Sequence, residues 1–164
     1  MQQRTWLGSL DDYQKGTIEV VSGSAEHYAM SNVFEVASGA QPYEKIVVGR
    51  NLDYVIEALK AHGTSAWFAA AHDEFAIVLD GAVDVQFVKA DEAQLVDPST
   101  HGSVRFDAQP PGQSMGYIRL RRGHQALLPA GAAYRFAAVH DGVLLLQTML
   151  GQHSVQKWAE ICTR

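Results

Sequence analysis

The dipeptide Asp80-Gly81 separates two apolar runs, 74–79 and 82–89, and constrains the fold more than any other short feature. Asp-Gly between such runs is typical of a two-residue β-hairpin, in which both turn residues need positive φ. In the second run Val83 and Val85 alternate with polar residues. Because successive strand side chains point to opposite faces, this strand is expected to bury one face and expose the other. The sequence therefore predicts antiparallel β-structure at its centre.

Further short runs rich in β-branched residues, and bounded by Gly, Ser or Pro, predict strands along the whole chain. These runs are 16–21, 30–37, 44–48, 104–106, 117–121, 125–128, 134–139 and 143–150. Asp141-Gly142 lies between the last two runs and predicts a second hairpin turn. About nine short strands with regular turn signals favour a β-barrel or a sandwich. The length of 164 residues suits a single domain over 1–164.

Two segments show a helical pattern. In 51–62, apolar Leu52, Val55, Ile56 and Leu59 follow the i, i+3, i+4, i+7 spacing of a helix, with Asn51 able to cap its start and Gly63 able to end it. At the end of the chain, Ser154 is expected to cap a short helix over 155–163. The fold class is therefore mostly β, with one helix before 67–81 and a short C-terminal helix.

Composition and charge argue against several functions. The net charge of −5 does not suit a nucleic-acid surface. The densest basic cluster, Arg119, Arg121 and Arg122, alternates in part with apolar residues, as on a solvated strand face. No apolar run reaches the roughly 18 residues of a membrane helix, and the start of the chain has no apolar signal core. A single cysteine, Cys162, cannot form an internal disulfide, so a cytoplasmic location is expected.

Two spaced sets of residues are similar to the paired motifs of the cupin family. Glu74 and Gly81 fit the end of G-x5-H-x-H-x3–4-E-x6-G, and Gly123, Pro129 and Gly131 fit G-x5-P-x-G-x2-H-x3-N. The metal-ligand positions do not match. They fall on Phe68 and Ala70, or on Trp67 and Ala69, and then on Tyr134 and Ala138. The resemblance implies a cupin-like β-barrel (jelly roll) that holds no metal of its own.

A metal site of another kind is the alternative to this interpretation. A catalytic iron site needs about three nitrogen and oxygen ligands on one face. His72 lies two residues before Glu74, so both side chains can point to the same side of a strand. With Tyr134, and with His124 as a further candidate, they form the only available set. The simpler interpretation is that His72 and Glu74 are hydrogen-bonded residues in the barrel or at its rim.

Three aromatic residues, Trp67, Phe68 and Tyr134, occupy positions where a cupin keeps its ligands. At least two of them are expected to fill the core. The alternative is that one projects towards a neighbouring subunit and lines an aromatic substrate pocket, because aromatic residues are over-represented at interfaces. The candidate residues for a substrate pocket or subunit interface are therefore Trp67, Phe68, His72, Glu74 and Tyr134.

A narrower resemblance covers 4–23, 44–85 and 116–136. These stretches resemble the small subunit of the two-component, iron(II)-dependent hydroquinone 1,2-dioxygenases of bacterial phenol degradation. In that family a small cupin-like subunit pairs with a larger subunit that carries the iron. The product of the reaction with dioxygen is 4-hydroxymuconic semialdehyde. The resemblance implies that this chain pairs with a larger cupin subunit and that iron(II) lies in that partner.

Three hypotheses follow. The first is the non-metal subunit of a ring-cleaving dioxygenase acting on an aromatic diol. The second is a self-contained small cupin metalloenzyme built on His72 and Glu74. The third is a non-catalytic cupin that binds a small molecule or regulates a partner. Metal in the purified single chain would favour the second hypothesis, and co-purification of a larger cupin chain would favour the first.

Overall fold

The computed structural model describes residues 21–22, 31–91 and 95–161. Apart from Val21, the predicted strand 16–21 lies outside these residues, as does Cys162. The helices are α1 (Val33–Gly39) and α2 (Trp158–Ile161). The strands are β1 (Lys45–Asn51), β2 (Tyr54–Thr64), β3 (Trp67–Ala70), β4 (Glu74–Asp80), β5 (Ala82–Ala90), β6 (Ser103–Phe106), β7 (Gly112–Arg121), β8 (Gln125–Leu128), β9 (Ala132–Met149) and β10 (Ser154–Val155).

The long strand β9 organises the sheet. Its first half pairs with β3 and β5, its second half pairs with β4, and β2 pairs along both halves, all antiparallel. Strands β7, β8 and β6 extend the sheet beyond β5, β4 and β3, while β1 and β10 follow β2. All described strands thus belong to one sheet that curls around a core.

The inward face of the sheet carries the main apolar cluster. Its members come from most strands and include Leu59, Phe68, Ala76, Val78, Val83, Val85, Leu120, Leu128, Tyr134, Phe136, Leu144 and Leu146. Burial of this apolar surface is the dominant favourable term in folding. The predicted mostly β, cupin-like fold with two helices is confirmed, although the first helix lies elsewhere.

The predicted hairpin at Asp80-Gly81 is wrong, because β4 and β5 do not pair with each other but follow one another along β9, with Asp80 opposite Val143 and Asp84 opposite Ala137. β4 ends at Asp80, β5 begins at Ala82, and Gly81 has φ +78°. Asp80 has no positive φ, so the expectation of positive φ at both turn residues is wrong for the first. A Cβ atom on Gly81 would lie 3.0 Å from Gly142 Cα and 3.1 Å from the Asp141 carbonyl oxygen. The break between β4 and β5 therefore packs directly against the backbone of β9.

We expect Gly81→Val to destabilise the protein by about 2 kcal/mol or more, because left-handed backbone costs a bulky residue about 1–3 kcal/mol and the new side chain also meets backbone atoms. Thermal melting measures the effect. Gly49→Val in β1 is the control, since Gly49 has no positive φ and its Cβ would make an ordinary contact of 3.8 Å with Ile56. A Gly81→Val variant that melts within a degree or two of wild type would show that the left-handed backbone at Gly81 is misassigned.

The second predicted hairpin, at Asp141-Gly142, is wrong. Both residues lie inside β9, which continues from Ala132 to Met149, and Gly142 has no positive φ. Gly142 is needed for close approach instead, because a Cβ there would lie 2.8 Å from the Asp80 carbonyl oxygen. In the sequence such a glycine resembles a turn residue. In the structure it allows the backbones of two segments to lie close together.

The predicted helix 51–62 is also wrong. Leu52 and Asp53 form the turn between β1 and β2, with Leu52 at φ +56°, and the rest of the segment belongs to β2. In β2 the residues Val55, Glu57 and Leu59 are buried at every second position. The apolar residues fitted a helical period by coincidence. Pairing of β2 with β1 on one side and β9 on the other satisfies its backbone groups and decides the conformation.

The predicted strand 30–37 and the predicted start of the C-terminal helix are also wrong. The described residues of the predicted strand 30–37 lie in helix α1 or just before it. The Asn32 side chain caps this helix by accepting hydrogen bonds from the Phe34 and Glu35 N–H groups. α1 packs Val36 against Ile46 and Ala58, so tertiary contact overrides strand propensity. At the other end, Ser154 begins β10, parallel to β1, instead of capping a helix, and the short C-terminal helix α2 starts at Trp158.

Candidate functional site

Three motif positions meet on the inward face of the sheet. Phe68 in β3 lies opposite Tyr134 in β9, with ring centroids 6.1 Å apart, and the Tyr134 hydroxyl reaches Glu74 in β4. Phe68 belongs to the main core cluster, whereas Trp67 belongs to a second cluster. Because adjacent strand residues point to opposite faces, Phe68 and Ala70 are the pair on the inner face where cupin ligands would stand.

Trp67 faces the other side of β3. It is 4% exposed and packs with Ala69, Val88, Val96 and Ala133. The Arg135 guanidinium lies 4.7 Å from the centroid of its ring, a cation–π contact. The indole is thus already covered by this chain. Truncating it would leave a cavity and cost about 3–5 kcal/mol of stability.

Glu74 is fully buried and both of its carboxylate oxygens accept hydrogen bonds. The Tyr134 hydroxyl donates to Oε2 at 2.6 Å, and the Thr148 hydroxyl donates to Oε1 at 2.7 Å. Burial raises the pKa of Tyr134 well above its usual value, and the neighbouring Glu74 charge adds to this effect. The phenol therefore stays protonated and remains a donor to Glu74.

His72 is connected to Glu74 through Thr148 and not through a shared open face. Its Nε2 lies 3.0 Å from Thr148 Oγ1, and because Thr148 gives its proton to Glu74, Nε2 is the donor to Thr148 in this chain. Its Nδ1 is buried and has no hydrogen-bond partner among the described residues. The structure thus brings His72, Glu74 and Tyr134 together as links of one hydrogen-bonded chain.

The sequence did not reveal a buried lysine beside these residues. Lys45 in β1 is 3% exposed, and its ammonium group donates a short hydrogen bond to Ser103 Oγ in β6. The same ammonium lies 4.1 Å from the centroid of the Phe68 ring. Lysine is almost never fully buried without partners. Its position inside the barrel therefore needs an explanation from the surrounding charges.

Glu57 in β2 is the second buried carboxylate of the interior, with 1% exposure. Ser154 donates to its Oε1 at 2.6 Å, and its Oε2 has no hydrogen-bond partner among the described residues. Burial raises its pKa to about 7, against the lowering effects of Lys45 and of the Ser154 hydrogen bond. We call Lys45, Glu57, Glu74, Ser103, Tyr134 and Thr148 the interior polar cluster.

The interior polar cluster contains four residues that sequence reasoning missed: Lys45, Glu57, Ser103 and Thr148. The signal for Glu57 was present, because it stands between Val55 and Leu59 in the buried phase of an alternating strand. It was hidden by the assignment of that segment to a helix. Lys45, Ser103 and Thr148 carry no motif, and they meet only when the sheet closes.

The interior does not fit an iron ion. On the inner face, the metal-ligand positions of the motifs hold Phe68, Ala70, Tyr134 and Ala138, and neither alanine nor a phenyl ring offers a donor atom. The two Glu74 oxygens are already engaged by hydroxyl groups. Among the described residues, no three His, Cys, Asp or Glu side chains are grouped as they would be around a metal.

The curled antiparallel sheet and the glycine turns at both motif positions define a cupin-type barrel protein. Gly123 and Gly131, the second-motif glycines, have φ +85° and +79°, as such turns require. Comparison with known proteins then identifies the particular family. No protein-family model matches the chain, and no curated protein matches it. Solved structures do.

The chain is 55% identical to a chain of hydroquinone 1,2-dioxygenase PnpCD in complex with Cd²⁺ and 4-hydroxybenzonitrile, over 99% of this chain and 98% of that one, with a TM-score of 0.88. It is 49% identical to a chain of hydroquinone 1,2-dioxygenase from Sphingomonas sp. TTNP3 with 4-hydroxybenzoate bound, over 99% and 98%, with a TM-score of 0.90. The chain therefore belongs to the hydroquinone 1,2-dioxygenase family, as the sequence resemblance predicted.

A second chain type of the same enzyme shares the fold. The PnpCD structure in complex with Fe³⁺ contains a chain that matches 84% of this one at 11% identity and a TM-score of 0.63. Only 38% of that chain is covered, so it is more than twice as long. At this identity the likeness concerns the fold alone. PnpCD thus contains a long chain, part of which has the fold of this short one.

In the ranges that the structure describes, no helix is long and apolar enough to cross a membrane.

Proposed function

We propose that this chain is the small subunit of an iron(II)-dependent, ring-cleaving dioxygenase that converts hydroquinone to 4-hydroxymuconic semialdehyde. The observation that carries the proposal is 55% and 49% identity, over nearly the whole length, to chains of two hydroquinone 1,2-dioxygenases. The longer PnpCD chain supports pairing with a larger cupin-type subunit. The substrates are an aromatic diol and dioxygen.

Iron(II) belongs to the larger subunit in this proposal. The occupation of the inner ligand positions by Phe68, Ala70 and Ala138, and the hydrogen bonds on both Glu74 oxygens, support that division. This chain then contributes a rigid, single-domain barrel that helps to shape the substrate pocket and to exclude water from it. Exclusion of water strengthens electrostatic interactions in a site and limits side reactions.

The five candidate residues act mostly from inside the barrel. Phe68, Glu74 and Tyr134 are buried, as is Trp67 on the opposite face of β3, while His72 is half-buried. They support the wall that meets the substrate pocket or the larger subunit. Their hydrogen bonds and ring contacts make that wall stiff. We place the assembled enzyme in the cytoplasm, in keeping with a single cysteine in 164 residues.

Purification of the tagged chain from its native host tests the proposal. We expect a cupin chain more than twice as long to co-purify, with iron present in the complex. After separation of the two chains, elemental analysis should find less than one iron, manganese or zinc per copy of this chain, because its interior lacks donor atoms where a metal would bind.

His72→Ala is the matched variant for the metal measurement. It removes the imidazole of the alternative metal site, so it should leave the metal content of this chain unchanged. One tightly held metal in the separated wild-type chain, lost in His72→Ala, would instead establish the self-contained metalloenzyme. Purification of the chain without any partner would favour a non-catalytic cupin.

A further inference from the structure

Three arginine side chains gather on the outer face of the sheet, where β7, β5 and β9 run side by side. In β7, Arg119 and Arg121 are two residues apart, and the residue between them belongs to the main core cluster, so both arginines face outward. The register places Asp84 of β5 opposite Arg119 and Gln86 of β5 opposite Arg135 of β9. We call this surface the arginine face; it consists of Asp84, Gln86, Tyr117, Arg119, Arg121 and Arg135.

The arginine face is positive on a chain that is negative as a whole. It carries three guanidinium groups and one carboxylate, whereas the net charge of the chain is −5. Arg119 donates to both carboxylate oxygens of Asp84, from Nε at 2.7 Å and from Nη2 at 2.8 Å. Arg121 is exposed, and among the described residues its guanidinium has no ion-pair partner. The charge of Arg121 is therefore open to a group from outside the chain.

Arg135 is held in place without a carboxylate. Its Nε and Nη2 atoms both donate to Gln86 Oε1, and its guanidinium lies 4.7 Å from the centroid of the Trp67 ring. An amide oxygen is neutral, so it leaves the guanidinium charge uncompensated. A side chain that is already fixed loses little entropy when a partner binds. Arg135 thus adds a preorganised positive charge to the arginine face.

A recess of about 420 Å³ lies at the Arg121 end of the arginine face. Its lining includes Ala82, Ala137 and Val139 beside the side chains of Arg119 and Arg121. Alanine side chains are short, so they leave space that the longer arginine side chains enclose. A carboxylate that enters this recess reaches the unpaired guanidinium of Arg121, whose N–H groups match carboxylate geometry.

The strand that carries two of these arginines also has an open edge. Among the described strands, β7 pairs with β5 alone. Tyr117 lies on β7 beside Arg119 and is 62% exposed. Tyrosine and arginine are enriched among the residues that dominate binding at protein interfaces. The composition of the arginine face therefore favours a protein partner.

We propose that the arginine face binds an acidic segment of the larger cupin-type subunit, and that a carboxylate of this segment enters the recess beside Arg121. The inference rests on the proposed function for the presence of that subunit. A second copy of this chain fits less well, because a two-fold dimer would set the positive face against itself. The net charge of −5 disfavours a nucleic acid.

Binding between the purified full-length small and large chains tests the proposal. Arg121→Glu should raise the dissociation constant roughly 30-fold or more, because it sets like charges against each other across the contact. Arg50→Glu makes the same change in net charge at an exposed arginine of β1. This control should leave the constant within about threefold, because distant surface charges are screened. Thermal melting of both variants shows that they fold.

A photoreactive p-benzoylphenylalanine in place of Tyr117 locates the contact without a change of charge. In the assembled complex it should cross-link to the larger chain close to an acidic residue, which mass spectrometry of the cross-linked peptide identifies. The same photoreactive residue in place of Tyr54 is the matched control, because Tyr54 is 61% exposed and lies in β2, away from the arginine face. The control should give little of this product.

The outcomes separate this inference from the proposed function. Failure of the larger chain to bind the wild-type chain would overturn both. Equal binding of wild type and Arg121→Glu, or cross-linking from position 54 instead of 117, would overturn the inference and leave the subunit proposal standing. The arginines would then only guard the open edge of β7, as charged residues on edge strands often do. Cross-linking of position 117 to a second copy of this chain would also overturn the inference.

Discussion

Oxygen uptake with hydroquinone should be absent when this chain is assayed alone, even with added iron(II), and should appear when the larger cupin subunit is supplied. The reason lies in the interior of the barrel. Phe68, Ala70 and Ala138 offer no donor atom at the ligand positions, and Tyr134 and Thr148 occupy both oxygens of Glu74. Added iron therefore has no ready site among the residues that the structure describes, and an oxygen electrode measures the difference directly.

The larger subunit with iron(II) but without this chain is the matched control for that assay. Full uptake by the larger subunit alone would limit this chain to a role in stability. Sustained oxygen uptake by the isolated small chain would sink the subunit proposal and promote the self-contained enzyme. Uptake that needs both chains would establish the division of labour.

Glu57→Gln should stabilise the protein much more near pH 8 than near pH 5, by about 2–3 kcal/mol. Burial raises the pKa of Glu57 to about 7 in the folded chain from 4.5, its ordinary value. The folded state thus holds the proton after the unfolded chain has released it. Stability from this group is fully present below about pH 4.5 and is lost as the pH rises through about 7. Glutamine keeps the acceptor for Ser154 and has no charge to bury.

Urea unfolding at several pH values measures this effect as the difference between the variant and wild type. Taking the difference cancels the titration of other groups that behave alike in both proteins. Glu160→Gln is the control, because Glu160 is exposed in α2 and its removal should leave the pH profile nearly unchanged. A Glu57→Gln variant that tracks wild type at every pH would show that Glu57 is not held in a desolvated site.

Motif spacing predicted several elements correctly. Gly81, Gly123 and Gly131 all have positive φ, so a backbone requirement of the fold is visible directly in the sequence. Alternation correctly predicted the strands on either side of Asp80-Gly81, but this dipeptide joins them into one run along β9 and not into a hairpin. Spacing put Glu74, Tyr134 and either Phe68 or Trp67 at motif positions, and the structure brings Phe68, Glu74 and Tyr134 together in the interior.

Local patterns failed where tertiary contacts decide. The segment 51–62 fits a helical period, yet it becomes the inner strand β2 because β1 and β9 supply hydrogen bonds on both sides. Gly142 resembles a turn residue, yet it lets β9 approach Asp80 closely. In each case the deciding partner is distant in sequence, so no short window contains the information.

The sequence by itself determined a mostly β-fold of short strands and the absence of ligands at the motif positions, since alternation, glycine positions and residue types are local properties. Only the tertiary structure decided what replaces the ligands. Lys45, Glu57, Ser103 and Thr148 come from four different strands, and they become neighbours when the sheet curls. The charges of Lys45 and Glu57 matter because curling of the sheet removes water from around them. Burial is a property of the whole fold and not of any one segment.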